Sequence, residues 1–172
     1  MTHSTPSRAF VVLRAVFYSA AFVLLWWWLA VSVRPFDARW AFTLPAWVRP
    51  LGLVLGSLGA LVVLWCVGTF GTTGRGTPAP FDPPREFVAT GPYRYVRNPM
   101  YIGGFGVLFG AGLTLRSPSI AGLAVLFLFL VHLLVLLYEE PSLESRFGDP
   151  YRRYKSAVHR WLPRVPQQPP AI

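Results

Sequence analysis

The stretch PMYIGGFGVLFGAGLTLRSPSIAGLAVLFLFLVHLLVLLYEE, residues 99–140, contains two apolar runs separated by four residues. The first run, Pro99–Leu115, is rich in glycine, and the second, residues 120–138, is interrupted only by His132. Residues 116–119 leave room for nothing longer than a tight turn, so we predict an antiparallel helical hairpin. About 20 consecutive apolar residues cross the ~30 Å of a bilayer's hydrocarbon. The hairpin is therefore expected to lie in a membrane.

Two further apolar runs precede the hairpin. Residues 15–33 carry no charge, and residues 51–70 place Gly52, Gly56 and Gly59 on one stripe of small residues. Such stripes are typical of membrane helices in close contact. That contact could lie inside the protein or between two copies. The sequence predicts an all-α integral membrane protein with about four transmembrane helices, of which the last two form a C-terminal helical hairpin.

The composition agrees with a membrane protein. Of the 172 residues, 53% are hydrophobic and 13% are charged. A soluble domain of this size has too much surface to bury so many apolar side chains. The net charge of +9 does not indicate a nucleic-acid partner, because the basic residues lie between and after the apolar runs. Basic residues in those places favour contact with the lipid bilayer and its anionic headgroups.

The loop charges predict the orientation. With four crossings, 12 of the 16 Lys and Arg residues fall on the side that holds both termini. The positive-inside rule places that side in the cytoplasm. The protein is therefore expected in an integral membrane location, the inner membrane in a bacterium, with a cytoplasmic N-terminal tail at residues 1–14. Residues 15–70 are expected to form the first two transmembrane helices, and the Pro- and Gln-rich residues 165–172 a disordered tail.

Two patterned stretches meet at the predicted cytoplasmic face, GPYRYVRNPMYIGG (residues 91–104) and YEEPSLESRFGDPYRRY (residues 138–154). Glu139 and Glu140 come where the last apolar run ends. The negative end of a helix dipole disfavours acidic residues, so the two carboxylates need a positive partner. Arg97 or the pair at 152–153 would provide one within the protein, and a cationic ligand would provide one from outside. The residues alone leave both explanations open.

The ordered set GPYRYVRNPMYIGG, then a hairpin, then EEPSLESRFGDPYRRYKSAVHRWLP resembles the isoprenylcysteine carboxyl methyltransferase family and the related phospholipid methyltransferases. The resemblance covers residues 91–164. Those proteins read GxYxxxRHPxYxG, then EE, then FGxxYxxY and a basic residue before proline. Asn98 stands where the family has histidine, and an amide does not titrate. No catalytic base is therefore expected at that position.

The resemblance implies S-adenosylmethionine-dependent methyl transfer in an interfacial cofactor pocket on the cytoplasmic side, within a catalytic core at residues 71–164. Arg97 would clamp the carboxylate of the cofactor, and the two glutamates would face its ammonium and ribose hydroxyls, with Glu140 the better candidate for direct contact. Glycine would let the cofactor approach the backbone, and tyrosine would wall it. The residues expected to bind the cofactor are Tyr93, Arg97, Asn98, Pro99, Tyr101, Gly103, Gly104, Glu139, Glu140, Tyr151, Arg153 and Tyr154.

The predicted catalytic residues are Arg97, Glu140 and His132. An ionisable group inside a span is a functional candidate, and His132 would take a proton from an amine acceptor. The alternative is a neutral imidazole that is hydrogen-bonded to a neighbouring helix. His3, His132 and His159 are widely separated in the sequence, so no metal site is predicted.

The methyl acceptor implied by the resemblance is a lipid or lipophilic molecule with a carboxylate or an amine. Two other functions are compatible with the sequence. One is an NADPH-dependent membrane reductase, since sterol reductases are similar in their C-terminal fold. The paired glutamates argue against that function, because the phosphates of NADPH favour arginine-rich sites. The other is a non-catalytic membrane adaptor.

Overall fold

A computed structural model describes residues 8–40, 42–69 and 89–164 of the chain. Those residues form helices and turns, and no strand occurs among them. The α-helices are α1 (Arg8–Val33), α2 (Val48–Thr69), α3 (Pro99–Leu115), α4 (Pro118–Leu134), α5 (Glu140–Phe147) and α6 (Asp149–Ala157). Short 3-10 turns at Arg34–Arg39 and Gly91–Arg94 precede α2 and α3, and a π-helical turn at Val135–Glu139 joins α4 to α5.

Three helical stretches are long and apolar enough to cross a membrane, namely Ala20–Arg39, Val48–Thr69 and Pro118–Phe147. The helix α3 is apolar but shorter, at 17 residues. The chain is therefore an integral membrane protein, and the predicted all-α class is confirmed over the described residues. The predicted tail at 165–172 lies outside the described residues, as do residues 1–7 of the predicted N-terminal tail and most of the loop between α2 and α3.

A tight turn joins α3 and α4 as an antiparallel hairpin. Arg116, with a φ of 55°, ends α3 in the left-handed conformation, and its side chain donates a 2.6 Å hydrogen bond to the carbonyl of Leu44. Ser117 caps α4 by accepting a hydrogen bond from the amide of Ile120. The predicted hairpin and its short turn are thus present. The turn of the hairpin is also hydrogen-bonded to the segment between α1 and α2.

The small-residue stripe of α2 lies directly against α3. A Cβ added to Gly52 would lie 2.6 Å from the carbonyl oxygen of Gly110, and one added to Gly59 would lie 2.6 Å from that of Gly103. The first half of α2 contacts the last half of α3, and the middle of α2 contacts the first half of α3, so the two helices are antiparallel. Glycine allows this backbone contact, in which dispersion forces act between many atoms at once. The stripe therefore serves a contact inside the protein.

The helix α1 packs on the opposite flank of the hairpin. Trp26 meets Phe127 of α4 edge to face, with 4.7 Å between the ring centroids. Beyond the end of α1, the carboxylate of Asp37 accepts a 2.9 Å hydrogen bond from the amide of Ser119. This bond satisfies one of the free amides at the start of α4. Aromatic packing along the helix and a polar bond at its end together place α1 against α4.

The helix that contains the apolar run at 120–138 does not end at Tyr138, where the sequence predicted its end. The helix continues through the π-helical turn into α5 and ends at Gly148, whose φ of 57° and ψ of −128° suit glycine alone. Pro141 occupies the first turn of α5. Because proline lacks an amide hydrogen, a locally widened helix is a suitable place for it. Glu139 and Glu140 therefore lie inside a continuous helix, and the helix-dipole argument does not apply to them.

Gly110→Ala is expected to lower the stability of the bundle by about 1–3 kcal/mol, because the new methyl group would overlap the backbone of α2. The thermal unfolding midpoint in detergent measures this loss. Gly122→Ala in α4 is the matched control, since a Cβ added there meets nothing within 4 Å. Equal midpoints for the two variants would contradict the described contact between α2 and α3.

Candidate functional site

The segment before α3 runs beside the segment after α6. The amide of Arg97 donates to the carbonyl of His159 over 2.9 Å, and the amide of Arg164 donates to the carbonyl of Tyr95 over 2.8 Å. The side-chain amide of Asn98 donates to the carbonyl of Arg160 over 3.2 Å. These bonds connect stretches about sixty residues apart in sequence. They hold the first patterned stretch beside residues 159–164, where the long helix also carries its glutamates.

Glu140 is the centre of a buried ion cluster. Its residue is only 4% exposed. Arg160 binds both carboxylate oxygens, with Nε 2.6 Å from Oε1 and Nη2 2.9 Å from Oε2. Arg97 Nη1 lies 3.1 Å from Oε1, and Lys155 Nζ lies 3.7 Å from Oε2. Arg152, which the sequence offered as a partner, instead pairs with acidic residues at the surface of the helices.

Arg97 has hydrogen-bonding capacity that the described part of the chain does not use. Its side chain is about nine-tenths buried. The buried Nε and Nη1 atoms have no hydrogen-bond partner there, since Nη1 is at ion-pair distance from Glu140 but not aligned for a hydrogen bond. Buried N–H groups without partners are costly, so this guanidinium is suited to an anionic ligand.

Glu139 has surroundings unlike those of its neighbour. The hydroxyl of Tyr101 donates a 3.2 Å hydrogen bond to its Oε1. None of the basic side chains that the structure describes forms an ion pair with Glu139. The carboxylate retains acceptor positions for a cation or for hydroxyl groups. The site therefore has a positive end at Arg97 and a negative end at Glu139.

Two buried tyrosines attach α6 to this site. Tyr151 and Tyr154 are 2% and 4% exposed, and the hydroxyl of Tyr154 donates a 2.6 Å hydrogen bond to the carbonyl of Tyr93. Burial raises the pKa of Tyr151 to about 12 and raises the pKa values of Tyr154 and Tyr93 well above their usual range. All three rings therefore remain neutral. Arg153 lies on the exposed face of α6, away from these tyrosines.

His132 is held by an indole from the segment after α6. Trp161 Nε1 donates a 3.1 Å hydrogen bond to His132 Nδ1. An indole nitrogen is only a donor, so Nδ1 of the imidazole is unprotonated and the neutral ring carries its hydrogen on Nε2. This arrangement matches the alternative of a neutral, hydrogen-bonded histidine, although the partner lies after α6. In this arrangement Nδ1 is not free to accept a proton from an amine.

Gly103 and Gly104 have contacts that account for glycine without any ligand. A Cβ added to Gly103 would lie 2.8 Å from the carbonyl oxygen of Gly59 in α2, and one added to Gly104 would lie 3.3 Å from the ring of Phe127 in α4. Both glycines therefore serve helix packing, and their predicted contact with a cofactor stays a prediction. Pro99 is buried in the first turn of α3, where proline is well tolerated.

Sequence reasoning missed Lys155, Arg160 and Trp161. Their signal was present, because the pattern includes a basic residue before Pro163 and a buried carboxylate requires cations. What the sequence could not provide was the return of the segment after α6 to the start of α3. Among the described residues, no group of three or more histidine, cysteine or acidic side chains is arranged to hold a metal ion.

An all-helical membrane protein with a buried arginine–carboxylate site is the class that this geometry defines. A family model described as phospholipid methyltransferase matches residues 47–150, which is more than half of the chain. The chain belongs to the phospholipid methyltransferase family. The resemblance found in the sequence is thereby confirmed, and membrane-embedded methyl transfer is the activity that this family indicates.

Two curated proteins are similar to parts of the chain. An uncharacterized protein of Haemophilus influenzae is 49% identical over 45 residues, which cover 26% of this chain and 71% of that protein. The cobalt-zinc-cadmium resistance protein CzcN of Cupriavidus metallidurans is 28% identical over 132 residues, which cover 74% of this chain and 55% of CzcN. The chain thus spans little more than half the length of CzcN. No solved structure matches the chain significantly.

Tyr154→Phe is expected to lower the free energy of unfolding by about 0.5–1.5 kcal/mol, because the carbonyl of Tyr93 loses its buried donor. Thermal unfolding in detergent measures the change. Tyr138→Phe is the matched control, since that ring is half exposed on the long helix. A loss of the same size in both variants would show that the hydrogen bond of Tyr154 contributes nothing specific.

Proposed function

We propose that the protein is an S-adenosylmethionine-dependent membrane methyltransferase that acts on a lipid or lipophilic acceptor bearing a carboxylate or an amine. The observation that carries this proposal is the pair of opposite charges with unused hydrogen-bonding capacity. Arg97 has two buried nitrogens without a hydrogen-bond partner in the described chain, and Glu139 has a carboxylate without a cation there. Family membership supports the same reaction class.

The residues fit the amino-acid end of this cofactor, which carries a carboxylate and an ammonium group. Arg97 would donate to the carboxylate, a pairing that is strong because both groups are charged. Glu139 would accept from the ammonium group or from the ribose hydroxyls. We assign that contact to Glu139 in preference to Glu140, because Arg160 already binds both oxygens of Glu140. In this proposal Glu140 orients the guanidinium of Arg97.

When bound, the cofactor supplies an electrophilic methyl group. The chain's contribution is alignment of donor and acceptor, which lowers the barrier of a displacement reaction substantially. Tyr101 fixes one oxygen of Glu139 and so limits the positions that the carboxylate adopts. His132 has no role as a base in this proposal, because Trp161 occupies its Nδ1.

A lipophilic acceptor suits the surface next to the site. Leu137 is 71% exposed and Tyr138 is half exposed, and both directly precede Glu139 in the chain. In a membrane, this apolar surface faces lipid tails. An acceptor with an apolar chain would therefore reach the glutamate from within the bilayer, with its polar group leading.

We further propose that α3 is a fourth crossing and that both termini lie in the cytoplasm of a bacterial inner membrane. At about 1.5 Å per residue, the 17 residues of α3 extend about 25 Å, most of the hydrocarbon thickness. Its antiparallel contact with α2 is made at both Gly52 and Gly59. The uneven distribution of basic residues supports the orientation. Residues 71–164 would then hold the catalytic core at the cytoplasmic face.

Titration calorimetry of the detergent-purified protein with S-adenosylmethionine and S-adenosylhomocysteine tests the proposed cofactor. Wild-type protein is expected to bind both, and Arg97→Ala to weaken binding about tenfold or more through loss of a charged hydrogen bond. Arg146→Ala is the control, because that arginine is exposed on α5. A folded wild-type protein that binds neither ligand would overturn the proposal.

Reporter fusions test the proposed orientation. Green fluorescent protein fused after residue 164 is expected to fluoresce in a bacterial host, and alkaline phosphatase fused there to be inactive, because the phosphatase folds only outside the cytoplasm. A phosphatase fusion truncated after Thr43, between α1 and α2, is the control and is expected to be active. The reverse pattern would overturn the orientation.

A further inference from the structure

We infer that Arg160 is a positioning residue that keeps Arg97 available for the carboxylate of the cofactor. This inference rests on the proposed function, because it assigns a task to a residue outside the cofactor contacts. Arg160 reaches the site from the segment after α6, and its side chain is about one-quarter exposed. It acts through Glu140, which is almost completely buried between the two arginines.

The geometry places one carboxylate oxygen between two guanidinium groups. Oε1 of Glu140 accepts a 2.6 Å hydrogen bond from Arg160 Nε, and Arg97 Nη1 lies 3.1 Å from the same oxygen. Arg160 Nη2 binds the second oxygen, so the carboxylate is held in a fork at both atoms. A planar fork fixes the orientation of a carboxylate as well as its position.

Because Arg160 binds both oxygens of Glu140, Arg97 does not form aligned hydrogen bonds with this carboxylate. With Arg160 in place, Glu140 already has its best-aligned donors, and Arg97 approaches without hydrogen-bond alignment. Without Arg160, Arg97 would be the nearest guanidinium to a buried carboxylate and would turn its N–H groups toward it. Lys155 is a poor replacement, because it lies 3.7 Å from Glu140 and 3.2 Å from Glu144. The N–H groups of Arg97 would then bind Glu140 and would not be available to the ligand.

The local charge supports the same conclusion. Arg97 and Arg160 both face the single carboxylate of Glu140, whereas Lys155 is shared with Glu144, so the two arginines leave positive charge in excess before any ligand binds. An anionic ligand restores the balance. Removal of Arg160 reduces that excess, which weakens the attraction for a carboxylate but not for the uncharged adenosine part of the cofactor.

Calorimetry with two ligands tests the inference on the full chain. The ligands are S-adenosylhomocysteine and its decarboxylated analogue, which retains the ammonium group and lacks the carboxylate. In Arg160→Gln, affinity for S-adenosylhomocysteine is expected to fall about tenfold, the effect of one charged hydrogen bond, while affinity for the analogue changes less than about twofold. Arg160→Lys, which retains charge but not the fork, is expected to lie between wild type and Arg160→Gln.

The matched control is Arg152→Gln, which removes another ion-paired arginine from an exposed position on α6. It is expected to bind both ligands as wild type does. Equal loss of both ligands in Arg160→Gln would indicate a merely structural role and overturn the inference, as would unchanged binding of S-adenosylhomocysteine. If Arg160→Gln does not fold, the same comparison in Arg160→Lys decides. Failure of the wild type to bind either ligand would overturn the proposed function itself.

Discussion

The buried carboxylate of Glu140 is the constraint on which the polar half of the molecule depends. A charge removed from water costs several kcal/mol unless cations and hydrogen bonds surround it. Here the cations come from three separate places in the chain: the turn before α3, the helix α6 and the segment that follows it. One acidic side chain thus requires a fold in which all three places converge. The apolar helices position that convergence at the end of the bundle, and the ion cluster holds it together.

The neighbouring carboxylate, Glu139, is chemically identical to Glu140 but has different surroundings. Glu140 is saturated by the protein, whereas Glu139 shares a hydrogen bond with Tyr101 and meets no cation among the described residues. One group is thereby suited to holding the structure and the other to binding a ligand. Under the proposed function, a guanidinium with two nitrogens that lack hydrogen bonds at one end and a carboxylate without a cation at the other would favour molecules that carry both charges. This property is more specific than a basic surface, which attracts anions of any shape.

Local patterns in the sequence were enough to predict the apolar helices and the hairpin, although not α5 and α6, because apolar runs and a four-residue break act over short distances. The stripe at Gly52, Gly56 and Gly59 also indicated a close helix contact, although not its partner. The predicted end of the long helix was wrong, since a polar stretch after Tyr138 resembles a tail when its burial is unknown. Arg160 was missed for a related reason. Its contact with Glu140 depends on how the chain returns after α6, and no local pattern encodes that path.

The π-helical turn at Val135–Glu139 has a consequence for how this site tolerates change in chain length. A π turn holds one more residue than the α-helical turn it replaces, so it absorbs an insertion without breaking the helix. Loss of one residue there would leave a regular helix that faces almost the same way, because the residues of a π turn together rotate the chain about as far as one residue fewer in an α-helix. Loss of one residue from a regular α-helical turn of α4 would instead rotate Glu140 by about 100° away from its arginines. The long helix therefore tolerates the loss of a residue at the π turn but not in the α-helical turns before it, whereas the surface loops permit far greater variation.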